Sequence, residues 1–255
     1  MKFSFLISIV CASFYFVPPI GAKPGIKEEI PAKYQAAYLN WKNEFLATEM
    51  GRRQWEIIDS SPEFSLQIEL TRDNPRGAST GNYEWNEQGK LIAATITLGS
   101  RLSEGYPNPI YYPVMNSLLL PDSSSYQISA QLLAATKLAH EFGHLLNTLK
   151  ADASRYKRQS LLIPQYNKIF LSNGRNTEDP RLKELALQIG GTPVEIWEDR
   201  EYWGEANAML YLQEKLPNTG LRCTVFNQIK RSVDLYASNY TDRFLQVAKN
   251  GCGWN

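Results

Sequence analysis

The chain holds two histidines, and they lie four residues apart with a glutamate after the first: His140-Glu141-Phe142-Gly143-His144. Two histidines placed at random fall into this HExxH arrangement on the order of once in a few thousand sequences at ordinary residue frequencies. On a helix, positions i and i+4 share one face, one turn apart. Both imidazoles can then reach one tetrahedral metal ion, and the neighbouring glutamate can reach a water on that metal. The chemistry this spacing suits is hydrolysis by a metal-activated water.

The surrounding residues predict the helix that must carry the motif. No proline stands between Gln127 and Ser160, and the run from Ser129 to Ala139 is rich in helix formers. Leu138, Phe142, Leu145 and Leu146 place an apolar stripe beside the histidine face, as a half-buried helix requires. Gly143 costs about 1 kcal/mol inside a helix. Its missing side chain leaves room for a second backbone to approach the site.

This stretch resembles the zincin metallopeptidases, whose active-site helix carries HExxH between uncharged residues; here Leu138 and Ala139 precede it, and Leu145 and Leu146 follow. The resemblance implies Zn2+ bound by His140 and His144, with Glu141 as general base. A catalytic zinc takes three protein ligands plus water. The metzincin branch would place a glycine and a third histidine soon after the motif, but Asn147 and Lys150 stand there, and the chain has no further histidine. A carboxylate must complete the site, which points to the gluzincin branch and a His-His-Glu set.

The best source of that carboxylate is the segment opening at Thr192. Thr192 and Glu195 form a capping box, with Pro193 at the first helical position. The helix they start runs to about Leu216, where Pro217 and Gly220 end it. Glu195 is taken up by the cap, which leaves Glu198, Glu201 and Glu205. Glu205 lies among small residues, Gly204, Ala206 and Ala208, which would let this helix press on the motif helix. The segment Gly204-Glu205-Ala206-Asn207-Ala208 also resembles the gluzincin pattern around the ligand glutamate, 61 residues beyond His144. Many gluzincins have an aspartate four residues after the ligand, orienting the first histidine. Met209 stands there if the ligand is Glu205. Glu201 is the second candidate, because Glu205 would then occupy the orienting position. Pattern favours Glu205.

In the implied reaction Glu141 accepts the proton of the attacking water and passes it to the leaving amine. A second donor to the developing oxyanion is needed. No histidine is spare, so a tyrosine or arginine must serve. Arg200, Tyr202, Tyr211, Tyr236 and Tyr240 are available, and the sequence does not choose among them.

Residues 1–22 read as a secretory signal peptide: Lys2, an apolar run from Phe3 to Val17, and a tolerable cleavage site at Ile20-Gly21-Ala22. The run is short for a membrane span. Its removal leaves Cys223 and Cys252, which read as one disulfide in an exported chain. The expectation is therefore a secreted protein, extracellular or periplasmic, with no stable membrane insertion after cleavage. Basic and acidic residues balance at 27 and 26, so no basic surface for nucleic acid is expected. The partner expected is a peptide or protein substrate. Asn239-Tyr240-Thr241 is a glycosylation sequon, meaningful in a eukaryotic source.

Along the mature chain, residues 23–32 look like a flexible start. From Pro31 a helix carries Tyr34, Tyr38, Trp41 and Phe45 as a core stripe. Phe64 to Thr71 alternates as a half-buried strand. Asn82 to Trp85 and Lys90 to Leu98 read as a hairpin, with Ile92, Ala94, Ile96 and Leu98 on one face. In zincins an edge strand ahead of the motif helix pairs with extended substrate; Leu91 to Leu98 is the candidate, with an internal strand as the alternative. Gly105 to Pro113 is a stiff aromatic loop. Helices are expected over 158–172, 179–190, 192–216 and 224–248. The fold class expected is α+β and zincin-like. A small mixed or antiparallel sheet and the HExxH helix form an N-terminal lobe, residues 23–150. A mainly helical C-terminal lobe, residues 151–255, supplies the third ligand.

The leading reading is a secreted zinc endopeptidase. The alternatives are an exported zinc-binding protein of the same fold without turnover, acting as a binding module, and a metal-free helical protein with a chance motif. The intact Glu141 argues against loss of turnover, because a purely structural site does not need it.

Overall fold

The structure, a computed structural model, describes residues 24–104, 129–151, 153–216 and Cys223. It is a mixed α+β arrangement built on a four-stranded sheet in the order β1-β2-β4-β3. The strands are β1 (Gly25–Glu29), β2 (Ser65–Thr71), β3 (Ala78–Trp85) and β4 (Leu91–Gly99). β1 and β4 both run parallel to β2, and β3 pairs antiparallel with β4. A 3-10 turn, Ala32–Tyr34, leads into α1 (Gln35–Leu46) and then α2 (Glu49–Asp59). The remaining helices are α3 (Ala130–Leu149), α4 (Ala153–Ser172), α5 (Pro180–Ile189) and α6 (Pro193–Lys215).

Three sequence expectations change here. Within the stretch 23–32, expected to be flexible, Gly25–Glu29 form a strand, because Ile26 of β1 registers with Leu66 of β2, and Asp59 at the end of α2 accepts from the Ile26 N–H. The Leu91–Leu98 segment lies inside the sheet, with β2 on one side and β3 on the other. It cannot offer an edge. β3 is the edge strand on that side among the described residues. A register irregularity near the start of β4 also shifts its buried face. Leu91, Ala94, Ile96 and Leu98 are buried, so Leu91 takes the place expected of Ile92.

The motif helix α3 follows its sequence signals closely. Ser129 caps it, accepting from the Leu132 N–H, and removes one of the unpaired donors of the first turn. Leu133, Leu138, Phe142 and Leu145 are wholly buried. Each such side chain contributes about 1.5–3 kcal/mol through burial. α3 is more deeply enclosed than a half-buried helix: every residue from Leu132 to Gly143 is buried. Phe142 packs on Phe45 of α1, ring centroids 5.0 Å apart, and on Trp55 of α2 at 6.0 Å.

α6 opens with the expected capping box, Thr192 and Glu195, and Pro193 in its first turn. Its second half, from Tyr202 to Leu216, shares one hydrophobic core with α1, α3 and the sheet. Tyr166, Leu182, Ile189 and Ile196 form a smaller cluster joining α4, α5 and the start of α6. Glu214 near the end of α6 accepts from the Glu49 and Met50 N–H groups, capping α2 from a distance. Asn207 ties three helices together. Its amide donates to the Ala139 carbonyl at 2.6 Å and exchanges hydrogen bonds with Gln54.

Candidate metal centre

The two imidazoles meet on the face of α3 that looks towards β3 and α6. Their Nε2 atoms are 2.9 Å apart. Two tetrahedral zinc–nitrogen bonds of about 2.0–2.1 Å would hold them roughly 3.3 Å apart, so the observed spacing is close to what one shared ion needs. His140, Glu141 and His144 each present a ligating atom within 4.8 Å of the others. Burial holds both rings neutral, the form that binds metal. It pushes His140 down to about 4 and His144 well below its usual value. The Arg200 backbone hydrogen-bonds His144.

α6 brings two carboxylates to this pair, one turn apart. Glu201 faces the Nε2 atoms: Oε2 lies 3.6 Å from His140 Nε2, and Oε1 lies 4.0 Å from His144 Nε2. Glu205 stands behind the His140 ring, its Oε1 3.9 Å from Nδ1. Glu201 is thus the carboxylate nearer the two Nε2 atoms, and Glu205, the ligand expected from sequence, is the one nearer Nδ1. Glu201 and Glu205 share one face of α6 but differ by a turn of rise, and α3 makes its closest approach between them, at Trp203 and Gly204.

Small residues make the approach of the two helices possible. A Cβ on Gly143 would lie 2.5 Å from the Trp203 carbonyl oxygen and 3.0 Å from Gly204 Cα. The space that Gly143 leaves is thus filled by the backbone of α6.

Glu141 is buried at the other side of the histidine pair. Thr80 Oγ1 on β3 lies 2.7 Å from Glu141 Oε2 and 3.1 Å from the Glu141 carbonyl oxygen. This hydroxyl fixes the carboxyl against the edge strand. Burial raises Glu141 to about 8, partly offset by the Thr80 hydrogen bond. Burial likewise raises Glu201 to about 7 and Glu205 to about 8. Neither His140 Nδ1 nor Glu205 Oε2 has a hydrogen-bond partner among the described residues.

Two buried carboxyl groups, Glu141 and Glu205, with the half-buried Glu201 and two neutral imidazoles around one point are costly without a cation. A divalent ion among them would offset that cost and satisfy both nitrogen lone pairs, so the donor set fits a metal of this kind.

A cavity of about 230 Å³ opens onto the pair, lined by Thr80, Tyr83, His140, Glu141, His144, Arg200 and Glu201 among others. Of the donors named from sequence, Arg200 reaches the cavity. Tyr202 is buried beside Trp203, and the Tyr211 hydroxyl donates to the Glu44 carbonyl. Tyr236, Tyr240, Asn239 and Cys252 lie outside the described residues, as do the signal segment, the loop from Gly105 to Pro113 and the expected helix over 224–248. No helix of the described residues is long and apolar enough to cross a membrane. Sequence reasoning missed Thr80, Tyr83, Gln54 and the part played by Asn207. All act across long chain separations, which no local pattern marks.

Comparison with protein-family models, curated proteins and solved structures returned no match.

Proposed function

We propose that the protein is an exported zinc metallopeptidase of the zincin kind, with His140, His144 and Glu201 as the metal ligands. The observation that carries this reading is the convergence of three donor groups, the Nε2 atoms of His140 and His144 and the Glu201 carboxylate, beside the buried Glu141. Zinc, when bound, supplies Lewis acidity towards a water and a substrate carbonyl.

The chain's own groups supply the rest. Glu141 takes the proton of the attacking water at its free carboxylate oxygen and gives it to the leaving amine. Thr80 holds the other oxygen in place. Glu205 Oε1 stands 3.9 Å from His140 Nδ1; closing to a hydrogen bond, it would fix which ring nitrogen is left to bind metal, the office of an outer carboxylate. The gluzincin spacing of ligand and orienting acid, four residues, is kept as Glu201 and Glu205. Among the described residues β3 is the edge on that side, which an extended peptide could join, and Ala78, Ser79 and Thr80 line the cavity from that strand. Backbone pairing to such an edge places the scissile carbonyl without regard to sequence.

The test is turnover of a quenched fluorescent peptide library by zinc-loaded protein. Cleavage that stops with a chelator, returns with zinc, and falls at least about a thousandfold in Glu141→Gln supports the reading. Zinc binding with no cleavage of any peptide would instead favour a binding module on the same fold.

A further inference from the structure

Among the described residues lining the cavity, Arg200 is the one lysine or arginine, and no described carboxylate pairs with it. Its guanidinium lies over the Tyr156 ring of α4, carbon to ring centroid 4.9 Å. It sits one residue from Glu201, yet their side chains form no ion pair. A long, flexible arginine near the carboxylates of Glu141 and Glu201 normally closes on one of them. Here the contact with Tyr156 holds it apart. A guanidinium held over a ring keeps its charge, and its N–H donors not directed at the ring stay available to a planar anion.

The carboxylates around the histidine pair are accounted for by the metal, by His140 and by the base. That leaves Arg200 with a fixed charge facing a small, partly apolar space bounded by Trp197, Tyr83 and Thr148. We infer that Arg200, braced on Tyr156, is a specificity site for a substrate carboxylate next to the scissile bond. The protein would then act on peptides that present an anion there, either a free C-terminus or an Asp or Glu side chain. The inference rests on the peptidase reading for its kinetic assay and has a binding assay that does not.

The experiment uses one core peptide in four forms: free C-terminal acid, C-terminal amide, and the amide with Glu or with Gln near the cleavage point. Wild type should favour one carboxylate form over its neutral match by about tenfold or more in kcat/KM, the size of one charge-assisted hydrogen bond. Acid over amide would assign the C-terminus, and Glu over Gln the side chain. Arg200→Gln should bring the ratio near one by costing the carboxylate form about tenfold more than its neutral match, and Arg200→Lys should restore part of it. Equal loss on all four peptides in Arg200→Gln would overturn the inference in favour of an oxyanion donor. Equal rates on all four in wild type would also overturn it, with the peptidase reading intact. The same peptides are titrated onto zinc-loaded Glu141→Gln by fluorescence anisotropy. Carboxylate preference in that binding, removed by Arg200→Gln, upholds the anchor even if wild type turns nothing over.

Discussion

Gly204 lies flat against the His140 imidazole: a Cβ on this glycine would stand 2.5 Å from Nε2, 2.6 Å from Cε1 and 2.8 Å from Cδ2. No real Cβ sits so close to three ring atoms, so the ring must move if one is added. The ring carries the nitrogen that faces His144 and Glu201. Gly204→Ala should therefore weaken zinc binding by at least about tenfold, roughly 1.4 kcal/mol, with a smaller effect on folding. Competition against a chromophoric chelator measures it. Unchanged affinity would mean that the ring position is not what selects the metal.

Gly143 presents the opposite case, because its neighbours are backbone. The Trp203 carbonyl and Gly204 Cα cannot swing aside as a side chain can. Alanine is the better helix former by about 1 kcal/mol, but overpacking costs about 1–3 kcal/mol and outweighs that gain. Gly143→Ala should lower stability in urea unfolding and widen the gap between α3 and α6. A stabilised variant would contradict the close packing of the two helices.

Asn207 is the buried amide that joins α6 to α3 and α2. Asn207→Leu leaves the side-chain acceptor and donor of Gln54 without their partner and removes the bond to the Ala139 carbonyl. The expected loss is about 1–3 kcal/mol for polar groups left unpaired. The double variant with Gln54→Leu should lose less than the sum of the two single variants, because the groups act as one unit. Strict additivity in a thermal or urea denaturation cycle would rule out the coupling.

Lys137 is buried one turn before His140, and its ammonium donates to the Arg76 and Leu102 carbonyls at 2.7 and 3.1 Å. Burial first, and then the Arg76 charge, pushes it down to about 8. In the unfolded chain a lysine titrates near about 10.4. Between these values the unfolded state binds the extra proton, so this group's contribution to stability rises with pH from about 8 to about 10. It is complete above that window and lost as pH falls through about 8. Wild type should gain on the order of 1–3 kcal/mol relative to Lys137→Met across the window. Urea unfolding of both proteins at about pH 7.5, 9 and 10 checks the slope, and parallel pH profiles would be the contrary result.

The parts of the fold that were legible in the sequence are those set by neighbours along the chain. Ser129 and the apolar stripe of α3, the Thr192–Glu195 box of α6, the alternation of β2 and the β3–β4 hairpin all carry local signals. β1 was hidden because its Lys27, Glu28 and Glu29 read as a solvated tail, and only the parallel pairing with β2 makes it a strand. The position of β4 was open for a related reason. Alternation gives a strand its two faces but does not name its partners, and β2 pairs with β4 by passing over β3 in the sequence. α2 carries few apolar residues and raised no signal. At the site, His140, Glu141 and His144 were marked by spacing alone. The choice between Glu201 and Glu205 was not, because both lie on the same face of α6. Where along α6 the motif helix crosses depends on the contact of Gly143 with Trp203 and Gly204, a tertiary fact. Thr80 is in the same position: it is 61 residues from Glu141, and only the packing of β3 on α3 joins them.

Zinc stoichiometry is the measurement that bears most directly on the proposed centre. Purified protein, stripped and reloaded, is assayed by atomic absorption beside Glu201→Gln and Glu205→Gln. The account predicts about one zinc per chain in wild type, none retained at micromolar zinc in Glu201→Gln, and a full site of about 10- to 100-fold lower affinity in Glu205→Gln. Loss in Glu205→Gln with Glu201→Gln unaffected would exchange the two roles. A wild-type protein that takes up no zinc would contradict the account at its centre.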